Sequence, residues 1–518
     1  MRFFTFLIAF SLFFDAYSQA SNVNLLGRYH YSQELSDVWG YVDSSGNEYG
    51  LVGSVEDFSI VDVTDPANCV IKYYLGGPIS TWRDIKVWNK RAYITNENCD
   101  GLLIVDMSKL PSQNNLDTTH FYGSQYPFTK AHNIYIDENG FAYIIGANYK
   151  NGGAIILDLN QDPDHPVEVG LVDNFYLHDA MVRGDTLWGS AIYDGLQVMV
   201  DVSNRTSPVL LGSFDTPGKF AHNCWPSDNG DYVFTTDEIN SGKIGAYDVS
   251  DFDNPIKVDE FRIQSISTPI PHNTFFKNNF LYTSHYSEGL HIMDVTHPGG
   301  MVEVGKFDTS PLYDNKFHGA WGVYPYLPSG NILIADIEEG LFVLYPNVTQ
   351  ASYLHGTVTD TVTNNIIAGA GVRIGVQRQF HTQEYGNYNA GHKSAGSYDV
   401  KFEKAGYDSK LVKNVSIQTG QITTLNIMLT PIFGPILSNK EEDLDENYFL
   451  VYPNPVGNEL KIETNEKIES LKIYNGKGQI VLEAINATQD VSALSRGVYL
   501  LEVTFDNNKR NKQKLFKR

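Results

Sequence analysis

Three cysteines in 518 residues are too few for a disulfide framework. Positive charge is in deficit as well: 38 Lys and Arg against 61 Asp and Glu give a formal charge of -23. A phosphate backbone demands a basic surface, so nucleic acid is excluded as a partner. Charge-driven binding to anionic lipid is excluded on the same ground. Long apolar runs stop early. Residues 3–14 are almost wholly apolar behind Met1-Arg2 and lead into Ala16-Tyr17-Ser18 and Ser18-Gln19-Ala20. That is the pattern of a secretory signal over residues 1–20, cut after Ser18 or Ala20. The run is too short for a permanent span and none of the required length follows, so no transmembrane segment is expected. Also missing are a Gly-x-Ser-x-Gly elbow, His-Glu-x-x-His, a phosphate loop, EF-hand spacing and Cys-x-x-Cys. Their absence leans against an enzyme and leaves catalytic residues unassigned.

What is abundant is repetition. Forty-two per cent of the chain is hydrophobic, with 32 Tyr and 28 Phe, a composition that suits a β-rich globular protein. Each repeat opens on a polar pair and an apolar run, then turns into a second run. A turn ending in a small residue leads to a third run closing on Asp, and a proline precedes a last short strand. Anchored on the second residue of the pair, the copies fall at Asp37, Asp84, Asn133, Asp179, Asn223, Asn273 and Gly319. A four-strand unit at this period is a propeller blade, since one small sheet cannot bury both faces alone. The fold class expected is all-β: a seven-bladed β-propeller over residues 21–348, followed by two small β-sandwich domains. The seventh copy stops after its third strand at Tyr345-Pro346. Leu25-Leu26-Gly27-Arg28-Tyr29 reads like the fourth strand of other copies, Leu210-Leu211-Gly212-Ser213-Phe214. The N-terminal strand is therefore expected to complete the last blade and leave no open edge. Cys69 and Cys99 fall in loops on opposite faces and Cys224 in an inner strand, so three unpaired, mostly buried thiols are expected.

The pattern changes at Tyr353. Gly356-x-Val358-x-Asp360, the Ala-Gly run before Val372, Gly396-x-Tyr398 and Ala405-Gly406-Tyr407 follow in order. Residues 352–431 thereby resemble the carboxypeptidase regulatory-like sandwich, which implies an accessory module of exported proteins. Its middle, residues 377–393, is longer than that family's usual turn and reads as a tolerated surface insertion rather than a contact loop. Residues 432–447 are polar and acidic, a linker. Residues 448–518 open on Tyr452-Pro453-Asn454-Pro455, carry Gly497-x-Tyr499 and close on Lys514-Leu515-x-Lys517. They resemble the type A C-terminal sorting domain of type IX secretion in Bacteroidetes-like bacteria. That resemblance implies secretion machinery as a partner, passage through the outer membrane, and release or anchoring at the cell surface. The repeats with their Asp-Val-Ser/Thr endings and Ser36–Gly40 resemble the choice-of-anchor B proteins with LVIVD-type repeats. That family implies an exported propeller and supplies no catalytic residues.

Two sets of loops share one face of such a disc. The first carries His132, His178, His222, His272 and His318, with Ser36 and Arg83 in the remaining copies; the second carries Glu97, Tyr193, Asp237, Glu238, His285 and Asp336. The imidazoles beside carboxylates offer ligands for a transition metal. They also suit a structural role, because a histidine recurring at one repeat position is what a fold, more than a chemistry, produces. WD-repeat propellers resemble this, using a loop histidine to bond neighbouring strands, and the following Asp or Asn would cap the same turn. Arg83, Glu97, Tyr193, Asp237, Glu238, His285 and Asp336 break or lie outside that repetition and are the candidate ligand-binding residues. Strand-ending Asp62, Asp106, Asp158, Asp201, Asp248 and Asp294 are turn residues. Trp39, Trp225 and Trp321 share one repeat position and are expected to fill gaps between blades. The function expected is binding or adhesion toward an extracellular glycan or protein. The alternative is a metal-dependent extracellular enzyme acting on polysaccharide or another polymer.

Overall fold

The computed structural model describes residues 20–263, 268–312, 316–432, 449–464, 466–506 and 509–518. The secretory signal and the linker lie outside the described residues, except for Ala20 and Ile432. Two compact units divide the chain near residue 432.

In the first unit, seven antiparallel sheets of four strands carry the repeats in order. Blade one is Leu35–Val42, Glu48–Ser54, Asp57–Asp62 and Val70–Gly76. Blade seven takes Ala320–Tyr324, Ile332–Asp336 and Gly340–Pro346 from the end of the series and Val23–Tyr29 from its beginning. That last pairing runs from Val23 opposite Pro346 to Tyr29 opposite Leu341. The expected closure is what the chain does. Ser21 also exchanges two backbone hydrogen bonds with Lys306 of blade six, at 2.9 and 2.8 Å.

Physical reasons for the repeat pattern are visible blade by blade. Each of the six strand-ending aspartates accepts the backbone N–H two residues on, as Asp62 does from Thr64 at 3.0 Å and Asp201 from Ser203 at 2.8 Å. These are Asx turns that reverse the chain toward the outer strand. The outer-strand glycine has a different cause. A Cβ on Gly27 would lie 1.6 Å from the Pro66 carbonyl oxygen, and one on Gly170 would lie 1.8 Å from that of Arg205. The turn of the next blade therefore packs straight onto the glycine, and any side chain there would push neighbouring blades apart.

The inner strands converge on an axis that aromatic rings fill. Trp39 packs on Tyr324 and Phe275, at centroid distances of 4.8 and 6.1 Å. Trp225 packs on Phe275 at 4.6 Å and on Tyr135 at 5.9 Å. Blades one, three, five, six and seven thus meet across the centre. Trp39 and Trp225 each pack most closely on a ring of the adjacent blade, as expected, and also reach a non-adjacent one, because the first-strand side chains point at the axis. All three thiols are unpaired, as expected, but only Cys224 is buried; Cys69 is half-buried and Cys99 exposed.

The sandwich packs Ser352–Asp360, with its partners Asn387–His392 and Ile422–Thr424, against a second sheet built around Gly371–Ile374 and Gly396–Glu403. Its long middle segment is a contact loop, which corrects the surface-insertion reading. The Arg378 guanidinium grips both Asp259 carboxylate oxygens of blade five and the Met301 carbonyl of blade six. It also lies 4.1 Å from the Phe380 ring centroid. Only a planar fork can meet a carboxylate and a ring face together.

The second unit, taken by itself, is a two-sheet β structure. One sheet joins Phe449–Tyr452, Glu459–Thr464 and Thr488–Asp490; the other orders Ile480–Ala484, Ile468–Tyr474, Gly497–Phe505 and Arg510–Lys517. Leu460, Ile473, Leu501, Phe505 and Leu515 form its core. The basic end is therefore a paired strand.

Arg378→Ala should destabilise the sandwich–propeller contact by about 2 kcal/mol, since both partners are largely buried and Asp259 would lose its counter-charge. Denaturant unfolding of the whole chain measures this; Arg373→Ala, at an exposed guanidinium bonded to Gln379, should cost less than about 0.5 kcal/mol.

Candidate functional site

Every blade opens its inner strand on the polar pair, so seven pairs gather around one axis. The second members form a belt between blades. Asn133 donates to Asp84 of the preceding blade, and Asn223 Nδ2 donates to Asp179 Oδ2 at 2.9 Å. Thr274 N–H in turn donates to Asn223 Oδ1 at 3.0 Å. Lys86 donates to Asp84 and lies 4.3 Å from the Trp39 ring centroid. These residues reach across to neighbours and do not cap their own turns, as the sequence reading had them; convergence at the axis brings adjacent inner strands within side-chain reach. Burial, then the charge of neighbouring Asp84, pushes the Asp37 carboxyl well up. Burial acts the same way on Asp179, but the His222, His178 and His132 imidazoles outweigh it and hold Asp179 below the usual carboxylate range.

Four of the five predicted histidines form an arc. Ring centroids of His132 and His178 are 3.9 Å apart, those of His178 and His222 4.4 Å, and those of His222 and His272 4.4 Å. Three have their Nδ1 engaged: His132 by Glu97, His178 by Asp179 at 3.1 Å and His272 by the Trp321 carbonyl at 2.7 Å. Nδ1 of His222 has no hydrogen-bond partner among the described residues, although the ring is buried. Glu238 reaches into the arc, with Oε2 3.5 Å from His222 Nε2 and Oε1 3.8 Å from His272 Nε2. It also accepts the Tyr286 hydroxyl at 2.5 Å. His318 stands outside the arc, held by Glu338.

Burial dominates the electrostatics. It lowers the pKa of His178, His222 and His272, the last to about 3, and so disfavours the charged form of each ring. Burial also opposes charge on His132, but the Glu97 hydrogen bond and charge outweigh it and raise its pKa. Burial lifts the Glu238 carboxyl to about 7.

These groups line a pocket of about 390 Å³ with Trp82, Phe317, Trp321 and Tyr286. The structure brings Glu97, Tyr193 and Glu238 to this pocket from the candidate ligand-binding set. The others are framework. Arg83 also lines the pocket, but its guanidinium is spent on the Ser54 and Pro78 carbonyls. Asp237 accepts from Thr216, Gly218 N–H and Phe220 N–H. Asp336 accepts from Thr309 at 2.7 Å and from Glu339 N–H at 2.9 Å. His285 packs away from the pocket against His291, 4.9 Å between centroids. Departure from the repeat therefore marks a turn that needs an extra cap as readily as it marks a site.

Sequence reasoning missed Trp82 and Phe317. Each directly precedes the polar pair, where the other copies carry Leu, Ala or Pro; that substitution of an aromatic was the available signal. Trp321 lines the pocket, 6.2 Å from Trp82 and 5.0 Å from His272.

With this geometry in place, comparison with known proteins defines the class. Residues 192–216 and 276–309 match the LVIVD repeat, residues 353–430 the carboxypeptidase regulatory-like domain, and residues 450–518 the secretion system C-terminal sorting domain. The chain is a secreted, cell-surface β-propeller protein carrying a type IX sorting tail. No helix among the described residues is long and apolar enough to cross a membrane. No curated protein matches the chain significantly. Among solved structures, the β-propeller domain of Myceliophteria thermophila Cps50 (Swd1) is 12% identical at a TM-score of 0.43, over 62% of this chain and 98% of that one.

Asn223→Ala removes two inter-blade bonds and leaves buried Asp179 short of a donor, so unfolding in denaturant should show a loss of about 2–3 kcal/mol. Removal of residues 448–518 should leave the protein in the periplasm; cell fractionation finding it outside in normal amount would show that the tail is not the address.

Proposed function

We propose that this exported propeller is a binding protein whose central pocket takes a ring of an extracellular glycan. The observation that carries this reading is the pocket's mixed wall. Trp82, Trp321, Tyr286 and Phe317 form a run of rings 5.2 to 6.2 Å apart. The C–H face of a sugar packs on such rings. Beside them stand acceptors, Glu97, Glu238 and Asp179 among them. A wall richer in acceptors than donors calls for a ligand that brings donors, which sugar hydroxyls do, and it repels uronic acids and sulfated chains. The volume is that of a small-ligand site. The reading agrees with the choice-of-anchor B resemblance, which implies an exported propeller.

Calorimetric titration of the whole chain with neutral oligosaccharides chosen from a glycan array tests it. Trp82 is exposed and belongs to no blade core, so Trp82→Ala should weaken binding about tenfold or more, roughly 1.4 kcal/mol, without lowering the melting temperature. Equal affinity in wild type and variant, or no neutral glycan bound, would overturn the reading. The alternative, a metal-dependent enzyme acting on polysaccharide or another polymer, is supported by the imidazole arc beside Glu97 and Glu238. Release of reducing ends from the bound glycan would favour it.

A further inference from the structure

We propose that His178, His222 and Glu238 bind a divalent first-row transition metal ion, Zn²⁺ being the ion used to test it, in the histidine arc of the central pocket. This goes beyond glycan binding and does not depend on it.

Three independent observations converge. The first is spacing. One donor atom from each residue lies within 4.8 Å of the other two. Metal–nitrogen and metal–oxygen bonds of about 2.0–2.2 Å place tetrahedral donors roughly 3.3 Å apart. Nε2 of His222 and Oε2 of Glu238 are already 3.5 Å apart, too far for a good hydrogen bond and close to the spacing of two ligands on one ion.

The second is the way the rings are held. His178 Nδ1 donates to Asp179, and neighbouring His272 Nδ1 donates to the Trp321 carbonyl. Each bond fixes the proton on Nδ1 and leaves Nε2 as a lone pair. Metal-bound histidines are oriented by carboxylates and carbonyls in this manner. His222 is 1% exposed, and its Nδ1 has no partner among the described residues. Of the two histidine ligands His178 therefore carries the orienting outer bond, while the unmet polar atom of the buried His222 ring carries a desolvation cost, which a metal bond at Nε2 offsets without itself satisfying Nδ1.

The third is charge. Seven acidic residues line the pocket against one arginine, Arg83, whose guanidinium is committed to backbone carbonyls. The field of such a cavity concentrates cations. Two imidazoles with one carboxylate leave room in the coordination sphere for water or a ligand oxygen. Imidazole nitrogen also selects transition ions over calcium and magnesium, which prefer all-oxygen sites.

The test uses the full chain, stripped with chelator and returned to Zn²⁺ or Ca²⁺. Elemental analysis and calorimetry should find one Zn²⁺ per chain, with a dissociation constant on the order of 1 μM or tighter, and no competing Ca²⁺. His222→Gln and Glu238→Gln should each weaken Zn²⁺ at least tenfold while the metal-free melting temperature stays unchanged. Co²⁺ in place of Zn²⁺ should give the visible d–d absorption of a low-coordinate site, lost in His178→Gln. His318→Gln, outside the arc, should bind as wild type does. If His222→Gln fails to fold, Glu238→Gln and His178→Gln decide the matter. A chain that returns no stoichiometric Zn²⁺, or affinity unmoved by the two folded variants, overturns the proposal. Trp82→Ala should leave Zn²⁺ affinity untouched, so loss of glycan binding and loss of metal binding are separable results.

Discussion

The antiparallel pairing of Val23–Tyr29 with Gly340–Pro346 is the constraint on which the remainder of the propeller depends. A row of blades has two free edges and no reason to curve to one radius. Once the first strand fills the last blade, the number of sheets and the tilt of each are fixed together. Closure brings seven inner strands to one axis, and the crowding there decides what those strands can carry. Large rings from five of the blades meet and fill the centre. Polar residues above them have no water to turn to and bond across blades instead.

That crowding explains how one repeat position does two jobs. Asn133 and Asn223 tie neighbouring blades, whereas Asp37 and Asp179 occupy equivalent places and bury carboxyls, the first pushed toward its neutral form and the second held in its charged one. A buried carboxylate is costly unless paired, and Lys86 and the histidines supply the pairing. The polar belt and the imidazole arc are therefore parts of a single electrostatic arrangement. Framework and pocket share residues, which is why a structural role for repeated histidines and a ligand-binding role for some of them are not opposed.

The accessory modules follow separate logic. Arg378 and its loop fasten the sandwich to blades five and six through one charged fork and one ring face. The tail unit has its own core around Leu501 and Phe505, as a domain handled by export machinery must. A propeller with an attached sandwich and a sorting tail is built for export to the cell surface.

Much of this was written in local pattern. Seven copies, the Asx turns at Asp62 through Asp294, the closing strand and the sorting tail could all be read because each depends on residues near one another in sequence or on strict repetition. Which histidines gather, and with which acid, could not. His318 occupies the same repeat position as His222 yet stands apart with Glu338, and Glu238 joins the arc while adjacent Asp237 caps a turn. Those outcomes turn on side-chain directions set by sheet twist and by contacts from neighbouring blades. Periodicity fixes which residues face the axis; only the closed ring determines which of them touch.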